Sequence, residues 1–221
     1  MTNIYRTSEQ SGRSMVEMLG VLAIVGVLSI GGIAGYSKAM AKYKINKTLD
    51  QVSLIITNIR TLFGNQVSYS GLTNANAIDW EIVSADIVAA GSSQLNNAFG
   101  GQIKIQATST PESGTSVVED CNVGGTTGIG ESFCPTFRIQ YSGMDRTACA
   151  TILSSDWGSS ASAGLVSIAV DQKDATNLDI IENNLHTWNG TTQANMIPIS
   201  YPEAYRECES MDQNSIEWVY N

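Results

Sequence analysis

The sequence predicts an α+β protein in which one long N-terminal helix packs against an antiparallel β-sheet. Three observations support this fold class: a helical pattern that no proline interrupts over residues 15–64, short alternating stretches after it, and turn-forming residues between those stretches. The chain has 221 residues, of which 43% are hydrophobic and 15% are charged. That length suits one modest domain with an appendage.

Charge is distributed unevenly along the chain. Residues 1–60 contain seven basic and three acidic residues, whereas the remaining 161 residues contain five basic and 18 acidic ones. The net charge of −9 argues against a general nucleic-acid binder, and we expect no nucleic-acid partner. Such asymmetry is typical of a chain of which one part faces a membrane or a polyanion.

Residues 18–36 contain no charged side chain. As a helix, these 19 residues span about 29 Å, which is close to the thickness of the hydrocarbon core of a bilayer. We therefore predict a transmembrane segment over residues 18–36. The alternatives are a buried core helix or the apolar part of a secretory signal, which is usually shorter.

The next stretch is amphipathic. Apolar residues recur at steps of three and four, while Gln51 and neighbouring polar residues lie off that stripe. Gly64 and Asn65 tolerate the left-handed conformation that ends helices. We predict one helix over residues 16–63, with its first half in lipid and its second half packed on a soluble domain. The apolar stripe consists of Ile45, Leu49, Val52, Ile55, Ile56, Ile59, Leu62 and Phe63.

A carboxylate stands at the edge of the apolar run. An acid at membrane depth is expensive and needs a partner, so Glu17 has three possible environments. It can lie at the lipid–water interface near the helix N-terminus, or pair with Arg13 four residues earlier. It can also wait for a positive group on a neighbouring subunit.

The order of these features resembles the type IV pilin family: a short hydrophilic leader ending at Gly12, then Glu17 five positions beyond it, then the long apolar helix. The resemblance implies that a prepilin peptidase cuts after Gly12 and methylates the new N-terminus. It also implies that Glu17 neutralises the terminal amine of an adjacent subunit. Arg13 departs from the family pattern, in which the first mature residue is usually Phe, Met or Leu.

The resemblance divides the chain into a leader (1–12), a long N-terminal helix (13–64) with the assembly segment 18–36, and an exported globular α+β domain (65–221). It implies a structural subunit of an extracellular type IVb-like pilus, used for adhesion, aggregation or conjugative contact. The partners implied are copies of the same chain in a helical filament, the prepilin peptidase and the inner-membrane pilus assembly machinery. The subunit would lie in the bacterial inner membrane before assembly.

Glycines within the apolar run favour close helix–helix contact. Gly31 and Gly35 form a small-xxx-small pair, a spacing that lets helices approach closely in lipid. The alternative is that these glycines reflect the ordinary composition of membrane helices. We assign Gly31 and Gly35 to assembly.

The exported domain contains shorter elements separated by turn chemistry. We predict a loop over 71–77 and a sheet that covers the amphipathic helix. Asp145 is positioned as a helix cap, and Pro202 opens a later helix. The predicted strands are 102–108, 136–141, 165–170 and 215–220, and the predicted helices are 81–89, 145–154 and 201–211.

Four cysteines fit two disulfides in an oxidising compartment. Free buried thiols and a metal site are the alternatives, although the absence of CxxC argues against zinc. Among three possible pairings we favour Cys121–Cys134, which would close a Gly-rich loop, and Cys149–Cys208, which would tie the C-terminal region to the helix near Asp145. A late cysteine that closes a large loop also resembles the type IVb branch of the pilins.

No motif indicates catalysis, and we expect no enzyme activity, cofactor or metal. The Gly-rich segment 124–130 lacks the lysine of a phosphate-binding loop, and His186 has no cysteine or carboxylate at motif spacing. Two other functions compete with a pilus subunit. One is a minor pilin or a pseudopilin of a type II secretion-like machine, and the other is a monomeric, signal-anchored periplasmic binding domain.

Overall fold

A computed structural model of the chain describes residues 15–109, 121, 133–158, 163–172, 176, 178–182, 184–187, 196–209 and 213–221. Contacts within the chain divide it into two compact units, with the boundary after Tyr43. We call the second unit, Lys44–Asn221, the head unit. It holds every strand among the described residues.

Helix α1 runs over Met15–Phe63, one residue longer than predicted. It ends where the sequence indicated but by a different route, because neither Gly64 nor Asn65 has a positive φ. Instead, the amide N–H of Gln66 donates to the carbonyl oxygen of Phe63 at 2.8 Å. A tight turn therefore provides a hydrogen-bond donor for a carbonyl group at the helix end, where we had predicted a left-handed residue.

The buried face of α1 differs from the predicted stripe at three positions. Thr48, which is not part of the stripe, is fully buried. Gln51 is only 7% exposed, although the pattern placed it off the stripe, and Leu62 is 46% exposed. These residues are eleven positions apart, about three helical turns, so they lie on the same side of the helix at different levels. Gln51 is covered and Leu62 is not because different parts of the head unit lie beside these two levels of the helix. The periodicity of the sequence does not predict that difference.

The prediction for residues 71–89 was wrong in two places. Helix α2 occupies Asn74–Asp79 and so begins inside the predicted loop over 71–77, with the Thr73 side chain accepting from the amide of Asn76. Turn-forming residues thus begin a helix here, because Thr73 is its N-cap. The predicted helix over 81–89 is reduced to a 3-10 turn at Ala85–Ile87.

Six antiparallel strands form one sheet in the order β1-β2-β3-β6-β4-β5. The four longer strands confirm the four predicted ones, with β3 and β4 extending beyond the predicted ends. Two edge strands were not predicted, because two or three residues are too few to show an alternating pattern. The strands are β1 (Leu95–Asn96), β2 (Gln102–Thr108), β3 (Thr136–Met144), β4 (Leu165–Gln172), β5 (Leu185–Thr187) and β6 (Asn214–Tyr220).

One face of the sheet forms the hydrophobic core with α1. Side chains alternate along a strand, so Phe137, Ile139 and Tyr141 of β3 share one face. They belong to the same buried cluster as Ile55 and Ile59 of α1. This cluster confirms the predicted α+β arrangement.

Two further helices complete the head unit. Helix α3 occupies Arg146–Leu153, and the Asp145 carboxylate caps it by accepting from the amide of Ala148 at 2.9 Å, as predicted. Helix α4 occupies Tyr201–Glu207, with Pro202 in its first turn. It ends four residues before the predicted end.

Candidate assembly surface

The N-terminal part of α1 exposes almost all its apolar side chains. Leu22, Ile30 and Ile33 are 65%, 72% and 68% exposed. Among the described residues, α1 is the one helix long and apolar enough to cross a membrane, and no part of its most apolar stretch is buried. Exposed apolar surface of this extent marks an interaction site with lipid or protein.

The polar groups within this apolar stretch are satisfied locally. The hydroxyl of Ser29 donates to the carbonyl oxygen of Val25 at 2.7 Å, and that of Ser37 donates to Ile33 at 3.0 Å. Such bonds to the preceding turn remove the cost of placing a hydroxyl in an apolar environment. The stretch is therefore compatible with lipid or with a dry helix bundle.

The glycine pair faces open space. A Cβ atom placed on Gly31 or Gly35 would meet no heavy atom within 4 Å. Neither glycine is therefore required by packing around it in the described part of the chain. Glu17 lies in the first turn of α1 and is exposed, whereas Gly12 and Arg13 lie outside the described residues.

Both favoured cysteine pairs are bonded in the structure. Cys121 and Cys134 have a Cα–Cα distance of 6.2 Å, and the predicted Gly-rich loop between them lies outside the described residues. The backbone holds both ends in place. The amide of Cys121 donates to Ala107 at 2.9 Å, and the carbonyl of Cys134 accepts from Tyr69 at 2.8 Å.

The second disulfide joins helices α3 and α4. Cys149 of α3 and Cys208, at the C-cap of α4, have a Cα–Cα distance of 6.0 Å. Arg146 reinforces this junction, because its Nε and Nη2 atoms donate to the carbonyl oxygen of Tyr205 at 3.0 and 2.9 Å. Its guanidinium also lies 4.1 Å from the Tyr205 ring centre.

A buried ionic cluster occupies the sheet face opposite α1. Arg138 donates through Nη1 to both Gln140 and Glu217 at 2.8 Å, and through Nη2 to the carbonyl oxygen of Leu178 at 3.0 Å. Arg138 and Glu217 are fully or almost fully buried. Gln140 also donates through Nε2 to the carbonyl oxygen of Asp179, so the cluster fastens Leu178 and Asp179 to the sheet. The alternation pattern alone did not predict it.

His186 has a structural partner. It is buried in β5, and its Nε2 atom lies 2.7 Å from a carboxylate oxygen of Glu207 in α4. The contact joins an edge strand to the disulfide-linked helix. Sequence spacing did not reveal it, because the two residues are brought together only by the fold.

Burial and charge shift the pKa of four described side chains in the head unit. Partial burial raises the pKa of the Tyr69 hydroxyl, and the charge of Arg60 reduces that rise. Burial raises the pKa of the Tyr141 and Tyr220 hydroxyls well above their ordinary values. At Asp86, a hydrogen bond from Lys47 and then one from Ser84 hold the pKa of the carboxyl below its usual range. The Lys47 Nζ atom lies 2.7 Å from Asp86. These environments are structural, and none indicates proton transfer chemistry.

No group of three or more His, Cys, Asp or Glu side chains within the described ranges is arranged to hold a metal ion.

The surface features that the sequence did not single out are an acidic groove near α2 and an exposed aromatic patch on α4. The first depends on a turn conformation, and the second on which side of a short helix faces outward.

Comparison with known proteins assigns the fold. The crystal structure of the type IV b pilin from Salmonella typhi superimposes with a TM-score of 0.50 at 18% identity, covering 80% of this chain and 99% of that one. The long N-terminal helix and antiparallel sheet are thus those of the type IVb pilin fold.

Sequence comparison assigns the family. The bundlin family model matches residues 37–184, more than half of the chain. The major structural subunit of bundle-forming pilus from Escherichia coli O111:H- is 20% identical over 217 residues, covering 97% of this chain and 96% of that protein. The same subunit from E. coli O127:H6 (strain E2348/69 / EPEC) matches to the same extent. The chain belongs to the bundlin family of type IVb pilins.

Proposed function

We propose that this chain is a structural subunit of a type IV pilus and polymerises through its N-terminal helix. One observation carries the proposal: the apolar half of α1 is exposed, whereas the head unit has its own buried core. Membership of the bundlin family supports it, because two relatives are major structural subunits of a bundle-forming pilus.

The proposed mechanism is packing and not catalysis. Exposing apolar surface to water costs about 25 cal/mol per Å², so the apolar segment leaves lipid only for an equally apolar environment. The N-terminal helices of neighbouring subunits supply it in a filament core. The absence of side chains at Gly31 and Gly35 allows those helices to approach closely. We assign the chain no catalytic activity, cofactor or nucleic-acid partner.

The proposed maturation follows the division into a leader (1–12), a long helix (13–64) and an exported domain (65–221). A prepilin peptidase cuts between Gly12 and Arg13. The mature subunit then stays in the inner membrane until the pilus assembly machinery adds it to the filament. The filament then lies outside the cell and serves adhesion, aggregation or conjugative contact. Two disulfides in the head unit fit an oxidising compartment.

Intact-mass measurement and N-terminal sequencing of the membrane form test this proposal most directly. We expect a chain that begins at Arg13, two intact disulfides, and the same chain as the main component of fibres sheared from cells. An uncut N-terminus together with a monomer in detergent would instead support the signal-anchored periplasmic domain. A processed chain found only in trace amounts in sheared fibres would support a minor pilin or a pseudopilin.

Glu17 is proposed to set the axial register by neutralising the terminal amine of a neighbouring subunit. Its exposed position in the first turn of α1 leaves the carboxylate accessible. We expect Glu17→Ala to abolish fibre assembly without changing the unfolding of the head unit, as measured by sheared fibre yield and by thermal melting. Glu17→Asp keeps the charge and is the matched control. Normal fibres from Glu17→Ala would remove the proposed register role.

A further inference from the structure

Tyrosine and lysine side chains surround α1 where its apolar stretch ends. Tyr36 and Tyr43 are 67% and 56% exposed, and Lys38 and Lys42 between them are also exposed. At about 3.6 residues per turn, the two tyrosines share one side of the helix, and the two lysines lie about 130° away around its axis. We call these four residues the Tyr/Lys belt. A helix that docks into a protein groove uses one face, whereas the belt occupies two sides of α1.

The two lysines of the belt have no partner within the described part of the chain. Neither makes a hydrogen bond, an ion pair or a ring contact with a described residue. The next two lysines differ, since Lys44 lies 5.8 Å from the centre of the Phe99 ring and Lys47 lies 2.7 Å from Asp86. Like charges four positions apart on a helix repel each other, so helix formation does not account for the belt lysines.

The belt lies about one hydrocarbon thickness from the acidic start of the helix. No charged residue stands between Glu17 and Lys38, and the helix between them is about 32 Å long, close to the hydrocarbon core of about 30 Å. Lys38 and Lys42 are separated by about 6 Å along the axis, which is similar to the depth of one headgroup layer. With Glu17 at one boundary of the bilayer, both lysines therefore lie among the headgroups at the other.

The residue types of the belt suit a boundary between lipid and water. Tyrosine combines an apolar ring with a polar hydroxyl and is enriched at membrane interfaces. Lysine covers apolar surface with its methylene groups and places its ammonium group among the phosphates, where negative charge attracts it. The proposed export of the head unit puts the belt on the non-cytoplasmic side, where lysine is usually depleted. Membrane insertion therefore does not account for the two lysines, and binding to lipid phosphate does.

We propose that the Tyr/Lys belt binds anionic phospholipids of the non-cytoplasmic leaflet while the subunit is in the membrane. Lys38 and Lys42 contact the lipid phosphates, and the rings of Tyr36 and Tyr43 lie between the headgroups and the acyl chains. The contact fixes the depth of α1 in the bilayer, and it is broken when the helix leaves lipid for the filament. This inference rests on the proposed function, since it concerns the subunit before polymerisation.

Spin-labelled lipids test the preference in vesicles that contain the full chain. Electron paramagnetic resonance measures how much spin-labelled phosphatidylglycerol or phosphatidylcholine is immobilised by the protein in a phosphatidylcholine bilayer. We expect the wild type to prefer phosphatidylglycerol by about threefold, because one lysine near the surface favours an anionic lipid by about fivefold and the signal averages over all lipids around the helix. The Lys38→Gln, Lys42→Gln variant should lose the preference, and Lys38→Arg, Lys42→Arg should keep it.

A matched control separates the belt from net charge. Lys104→Gln, Arg206→Gln removes two positive charges from the head unit and leaves the belt intact, so it should keep the wild-type preference. Salt at about 1 M should reduce that preference, because it screens the attraction between ammonium and phosphate groups. An equal loss in the control and in the belt variant would overturn the proposal, and so would a wild type that shows no preference at low salt.

Fibre yield distinguishes a lipid contact from a contact between subunits. If Lys38→Gln, Lys42→Gln kept the lipid preference but gave few sheared fibres, the lysines would belong to a contact with acidic groups of a neighbouring subunit, and the proposal would be overturned. A wild-type chain that does not float with vesicles, or that forms no fibres in cells, would instead contradict the proposed function. Insertion without a preference for phosphatidylglycerol contradicts only the belt, so the two failures are distinguishable.

Discussion

The two halves of helix α1 both carry large apolar side chains, but these side chains have opposite environments. From Met15 to about Tyr36 the large apolar side chains are exposed, while Ile45, Val52 and Ile59 are buried in the head unit. Both halves belong to one continuous helix. Helix formation is thus common to both, and the difference lies in what covers the side chains.

The arrangement of polar residues explains this difference. The first half is apolar around its whole circumference, which suits lipid or a bundle of like helices. The second half is apolar mainly on one face, so one sheet is enough to cover it. A single chain therefore contains one hydrophobic surface that it buries itself and another that requires a membrane or other subunits.

Removing the Cys149–Cys208 disulfide should give the largest loss of head-unit stability and should leave the exposed half of α1 unaffected. The bond closes 59 residues, and by the chain-entropy model the Cys149→Ser, Cys208→Ser double variant should lose about 4 kcal/mol of unfolding free energy. Urea unfolding of the full chain in detergent, followed by tryptophan fluorescence, measures this. The Cys121–Cys134 bond closes only 13 residues, so the Cys121→Ser, Cys134→Ser double variant should lose about 3 kcal/mol. A larger loss from the shorter loop would contradict the loop-length explanation.

The same substitution in each half of α1 tests the comparison directly. Ile55→Ala removes a side chain that is 2% exposed and should cost about 2–4 kcal/mol of head-unit stability. Ile30→Ala removes one that is 72% exposed and should leave that stability unchanged. Both are measured by thermal melting in detergent. A loss from Ile30→Ala comparable to that from Ile55→Ala would mean that the two halves do not differ in their support of the fold.

Glycines give a second matched pair. A Cβ atom at Gly101 would overlap the backbone carbonyl of Ser142, so Gly101→Ala should destabilise the head unit by about 1–3 kcal/mol. Gly31→Ala meets nothing within 4 Å and should leave the melting temperature of the head unit unchanged. If Gly31 serves helix packing in the fibre, Gly31→Leu should lower fibre yield without this thermal effect. Unimpaired fibres from Gly31→Leu would remove the packing role.

The smallest effect concerns the ion pair between α1 and the 3-10 turn. The folded-state pKa of Asp86 lies below its ordinary value of 3.8, so the pair stabilises the fold above that pH and the contribution is lost as the pH falls through the lower folded pKa. Because both side chains are partly exposed, we expect Asp86→Asn to cost less than about 1 kcal/mol at pH 7. The difference from the wild type should vanish in acid. A difference that persists at low pH would point to a cause other than charge.

Local patterns predicted the elements that are long or chemically marked. Helix α1, the four longer strands and the Asp145 cap follow from periodicity and capping, because each depends on neighbours in sequence. The features that sequence analysis missed depend on distant residues. The Arg138–Glu217 pair spans 79 positions, and no spacing rule connects such residues before the strands pair.

Residues 71–89 show the same limit at short range. Thr73 and the asparagines around it were interpreted as a loop, yet the Asn74 side chain bonds the backbone of β2 at Ile103 and Ile105, with distances of 2.9 and 2.7 Å. These contacts hold α2 against the sheet. The left-handed Glu81 then ends the helix at a residue whose type gives no indication of a turn.

The sequence by itself determined that an apolar helix lies near the N-terminus, that its polarity changes near residue 37, and that an antiparallel sheet follows. These properties depend on periodicities of two and 3.6 residues. Only the tertiary structure decided which face of α1 is covered, which strands form the edges, and that Glu81 takes the left-handed position at the end of α2. Those outcomes arise from contacts between residues far apart in the chain, and the energy of such contacts depends on three-dimensional packing that no local pattern encodes.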